Sequence, residues 1–147
     1  MRFTHAAATV LLLASVVFGQ APIPNDTAVK KAEALVREVF QDDFDNAKTA
    51  NQKSALAEKL LQQGQATQSE PAGRYVLLLR AAALAAESGN VDTGSKAVEE
   101  IGKSFDIDLM PIWLDTLAGL SMSASADDQK VLADRATSQI DEALAAD

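Results

Sequence analysis

From Val29 onward, apolar residues return every three or four positions: Val29, Ala32, Val36, Val39, Phe40 and Phe44. That interval lines one face of an α-helix. The helix opens at Asn25 or Asp26, whose short polar side chain accepts a first-turn amide, and ends in Asp45-Asn46-Ala47-Lys48. Thr49-Ala50-Asn51-Gln52 is a capping box, with Thr and Gln satisfying each other's orphaned N–H groups. It starts a second helix carrying Lys53, Leu56, Leu60 and Leu61, which fades near Gly64. A third begins at Ser69-Glu70-Pro71, because proline in a first turn forfeits only an amide that has no helical partner. From Tyr75 to Ala86 every residue but Arg80 is apolar, which predicts a central helix buried on nearly all sides.

Ser88-Gly89-Asn90 stops that helix, Gly89 being suited to a left-handed cap. Asp92 is read as the cap of a fourth helix, with Ala97, Val98, Ile101 and Phe105 facing inward. Pro111 bars a helix running through from upstream, so a fifth starts at Asp108. It carries Leu109, Ile112, Trp113, Leu117 and Leu120 as far as a serine-rich break at 121–125. Ser123 or Ser125 caps a sixth, through Val131, Leu132, Arg135, Ile140, Ala143 and Leu144. The helix pairs begin near residues 27, 70 and 109, about 40 residues apart, a period typical of stacked helical repeats. The expected fold is all-α: three antiparallel helix pairs stacked as a short α-solenoid of tetratricopeptide type, with a compact six-helix bundle as the alternative.

Residues 1–21 follow another pattern. Arg2 precedes a largely apolar run from Ala6 to Phe18, then small residues, which is the layout of a secretory signal peptide. The run falls short of the about 20 apolar residues needed to span a bilayer. Cleavage is expected after Gly19, with Ala21 as the alternative. The domains are then 1–19 signal peptide, 20–25 extended tether around Pro22-Ile23-Pro24, and 26–147 a single helical domain.

Composition narrows the chemistry. There is no cysteine, and the one histidine, His5, lies in the leader. The side chains most used for nucleophilic, acid–base and zinc chemistry near neutral pH are therefore missing from the expected mature chain. The formal net charge is −8, one unit more negative without Arg2. Such a surface repels phosphate backbones and anionic lipid heads, so neither nucleic acid nor a membrane surface is an expected partner, and no stable membrane insertion is expected after cleavage.

Two stretches carry a resemblance. LVREVFQDDFDNAKTANQKSALAEKLLQQG (35–64) and EPAGRYVLLLRAAALAAESGNVDTGSKAVEEIGKSFDID (70–108) resemble a tetratricopeptide-like helical region that follows the signal peptide in exported multidomain bacterial proteins. The likeness covers about residues 29–120 and is most specific at RYVLL (74–78). It implies architecture and export and brings no activity with it. In the relatives the array commonly runs on after a segment like 140–147, so the sixth helix is expected to be a terminal cap, or the chain a shortened form of a longer array.

Several motifs invite chemistry and have plainer accounts. Gly102-Lys103-Ser104 ends like a phosphate-binding loop but has Ala97 where the first glycine belongs, and a helix rather than a strand before it. Asp42, Asp43 and Asp45, and Asp106 with Asp108, lack the spacing of a calcium loop and read as caps and solvated charge. Asn25-Asp26-Thr27 is a glycosylation sequon that serves better as a helix cap. No catalytic, cofactor-binding or metal-ligating residue is assigned, and no cofactor is expected. Tyr75, Arg74, Arg80 and Trp113 are the first candidates for contact with a partner. The expected function is an exported, non-catalytic interaction module for a protein or peptide, with a structural spacer as the alternative and a carboxylate-based hydrolase a distant third.

Overall fold

A computed structural model describes residues 19–123 and, beyond them, the helical positions 130, 133, 134, 136–138 and 141. Helix α1 (Asp26–Val39) begins where the Asn25 side chain accepts the Ala28 amide at 3.0 Å, so the sequon asparagine acts as a cap. The single long first helix expected from the apolar stripe is two. Phe40 leaves helical geometry at φ −106°, ψ 20°, and α2 (Gln41–Asn46) follows directly. Phe40 is buried on the same face as Ala32 and Val36, four and eight residues earlier, whereas Val39 is 65% exposed.

Helix α3 (Ala50–Ala66) opens with the capping box complete: Gln52 N–H donates to the Thr49 hydroxyl, and Thr49 N–H donates to Gln52 Oε1. Helix α4 (Pro71–Ser88) has its proline at the first turn and ends at Gly89, whose φ of 74° is the one positive φ among the described residues. Asn90, not Asp92, caps α5 (Val91–Ser104). Its Oδ1 accepts the Thr93 amide at 3.0 Å, while its Nδ2 donates to Ser54 and Glu58 of α3. An amide both accepts and donates, so one side chain caps a helix and ties it to a neighbour; a carboxylate could not.

Helix α6 (Met110–Ser123) follows Asp108, whose carboxylate accepts the Met110 amide at 3.0 Å. It runs past the expected stop at residue 121. Ser121 donates back to the Ala118 carbonyl, and the Ser123 hydroxyl reaches that of Gly119; serines that bond carbonyls three and four residues back remain compatible with helix. The apolar positions expected of a sixth helix lie outside the described residues.

The chain is thus mostly helical, with α4 at its centre. It packs against α3 most extensively, then α5, α6 and α1. Helices α1 and α3, expected to form the first pair, each pack chiefly against α4. Leu60, Val76, Leu78, Val98, Ile101, Phe105 and Leu120 are the largest apolar side chains removed from solvent. The small residues of α4 and α6 let the two approach closely: a Cβ on Gly119 would stand 2.8 Å from that of Ala86.

Residues 20–25 are more than a tether. Ala21–Pro22 (β1) pairs in parallel with Phe105–Asp106 (β2), Ala21 opposite Phe105. Beside them the Gln20 side-chain amide donates to the Gly102 carbonyl. This is the only sheet among the described residues.

Candidate functional site

Helix α1 carries a second face beside its buried one. Lys30, Glu33, Ala34 and Arg37 are spaced by three and four residues and so stand in one row. Phe44 of α2 and Arg80 of α4 stand beside this row. Together with Val36 they line a cleft of about 570 Å³. Its floor is apolar and its rim carries three cations against one carboxylate, in a chain whose net charge is strongly negative.

Arg80 and Glu33 form the one ion pair in the cleft, at 3.2 Å, each about half exposed. A pair that open to water is worth at most about 1 kcal/mol, because solvent screens it and both side chains lose freedom. Lys30 and Arg37 have no carboxylate partner in any ion pair of the described residues. The cleft therefore holds a local excess of positive charge and an internal carboxylate that an incoming one could replace at little cost.

The four residues singled out from sequence do not converge. Arg80 alone lines this cleft. Trp113 is 5% exposed and belongs to the core. Tyr75 stands edge-on to Phe105, with ring centroids 5.2 Å apart, and burial pushes its hydroxyl above the ordinary value of 10.0. Arg74 lies 3.7 Å from Glu100, and its Nε is buried without a hydrogen-bond partner. Lys30 and Arg37 were not among the residues singled out from sequence. Their spacing was the available signal, but the second wall of the cleft comes from residues far along the chain.

The remaining motifs have local explanations. Lys103 donates to Glu100, which holds its ammonium above its ordinary range, and the Ser104 hydroxyl is spent on the Glu100 carbonyl. Asp43 accepts both bonds from Lys59, whose ammonium also lies 5.5 Å from the Phe40 ring centre. Among the described residues no group of three or more His, Cys, Asp or Glu is placed to hold a metal ion, and no helix is long and apolar enough to cross a membrane. A second cleft of about 360 Å³, between α4 and α6, is mostly apolar, lined by Leu79, Ala82, Ala86, Ile112 and Gly119, with Glu87, Asp115 and Thr116 beside them. No protein family, curated protein or solved structure matches this chain.

Proposed function

We propose that this is an exported, non-catalytic helical module that holds an acidic protein or peptide segment in the α1–α4 cleft. The observation that carries the reading is the cleft itself: apolar at Val36 and Phe44, ringed by Lys30, Arg37 and Arg80, in an otherwise acidic molecule. A segment with an apolar side chain between two carboxylates matches it, the former covering Phe44 and the latter meeting the guanidiniums, which bind carboxylates through paired donors. Export is supported by the sequence of residues 1–21, and the lack of a catalytic role by the absence of cysteine and of any histidine but His5. The stacked-pair arrangement draws support from α1 and α6 each lying against α4, as the leading helices of successive units do.

Fluorescence anisotropy with labelled Glu/Leu peptides and matched Lys/Leu peptides tests the reading. The acidic set is expected to bind saturably and more weakly at high salt, since screening shortens the reach of exposed charge. Reversing both Arg37 and Arg80 to Glu is expected to lower affinity on the order of tenfold or more, corresponding to ~1.4 kcal/mol. Equal binding of both peptide sets, or no effect of the double reversal, refutes it.

A further inference from the structure

We propose that export processing cuts between Gly19 and Gln20, and that the freed Gln20-Ala21-Pro22 end is a clamp across the corner between α5 and α6. The proposal rests on the export reading above. Two bonds near the end of the leader have small residues on their N-terminal side: Gly19–Gln20, with Val17 third from the bond, and Ala21–Pro22, with Gly19 third. The fold tells them apart.

Gly19 is exposed, and a side chain there would meet nothing within 4 Å. Engagement begins with the next residue. The Gln20 amide donates to Gly102, whose carbonyl sits in the last turn of α5, where a helix leaves its acceptors unpaired. Ala21 then lies opposite the buried Phe105, and Pro22 opposite Asp106. Cutting after Ala21 would discard the donor that caps α5 and half of the ladder that covers Phe105. It would also require hydrolysis on the N-terminal side of a proline, whose ring confines Ala21 to extended backbone. Cutting after Gly19 leaves every one of these contacts in the mature chain. The step is a hydrolysis: one water adds across the Gly19–Gln20 amide, giving a carboxylate on the departing leader and an α-amine on Gln20.

The test is to express the full chain in an exporting bacterium and determine the intact mass and N-terminal peptide of the exported form. A first residue of Gln20 is expected. A start at Pro22, or at any other residue, leaves export standing and overturns the processing assignment. A chain still beginning at Met1 and retained in the cytoplasm overturns export itself. The clamp has its own readout: exported Gln20→Leu, which keeps the bulk and removes the donor, is expected to melt a few degrees below the wild type. An unchanged melting temperature would remove the clamp.

Discussion

The crossing of α4 and α6 turns on one glycine. In Gly119→Ala, the new Cβ would lie 2.8 Å from the Ala86 Cβ, with the Ala86 Cα and carbonyl carbon at 3.7 Å. Carbon atoms rest about 3.5–4.0 Å apart, so the two helices must part by roughly 1 Å. Ala86 has no side-chain torsion with which to move aside, since its Cβ is fixed to the backbone. Overpacking of this kind costs about 1–3 kcal/mol. Parting the helices also strains the reach of the Ser123 hydroxyl to the Ala86 carbonyl, a neutral hydrogen bond worth about 1 kcal/mol. Against this, alanine is favoured over glycine in a helix interior by ~1 kcal/mol. The net expectation is a loss of about 1–3 kcal/mol. Gly73→Ala is the matched control, because a Cβ there meets nothing nearer than Glu70 Cβ at 3.7 Å. It is expected to gain up to about 1 kcal/mol, the propensity term without the clash. Thermal melting followed by circular dichroism reads both, at roughly 2–8 °C per kcal/mol for domains of this size. If Gly119→Ala melts at or above the wild type, the close approach is not what fixes these helices.

Asn90→Ala removes the α5 cap and both donations to α3. The expected loss is about 2–3 kcal/mol by urea unfolding, whereas Asn90→Asp keeps the cap and should lose clearly less of it through the cap alone while still losing the α3 ties. Alkaline stability follows from Tyr75. Burial raises its folded-state pKa above the unfolded value of 10.0, so the neutral hydroxyl stabilises the fold at lower pH and that contribution is lost as pH rises through and beyond 10.0. Melting temperature is expected to fall over that range, and less so in Tyr75→Phe; identical profiles for the two would refute the assignment.

What could be read from the sequence was set by neighbours along the chain. The Thr49–Gln52 capping box, the proline start of α4 and the left-handed Gly89 depend on residues a turn apart, and all three are present. The central place of α4 followed from its nearly unbroken apolar composition, which only a helix surrounded by others can bury. The break at Phe40 was hidden because a continuous stripe and a kinked one have the same spacing; which is adopted depends on what Phe40 finds to pack against. Asn90 was overlooked because its second role is played with Ser54 and Glu58, residues of another helix. The cleft was half visible, as the row Lys30, Glu33, Arg37, but Arg80 stands 47 residues from Glu33 and no local pattern announces their meeting.

The short parallel strand pair also bears on the order of events during synthesis. Gln20 and Gly102 are separated by 82 residues. A ribosome adds about 5–20 residues per second, so the first end of the fold to emerge waits roughly 4–16 s for its partner. Meanwhile α3, α4 and α5, neighbours in sequence, have only short loops to close and so assemble sooner. The earliest residues thus dock last, onto a core already formed. While it waits, a two-residue strand with proline at its second position offers too few backbone donors to recruit another chain. A longer strand there would close the corner more firmly, but it would spend those seconds as an open edge.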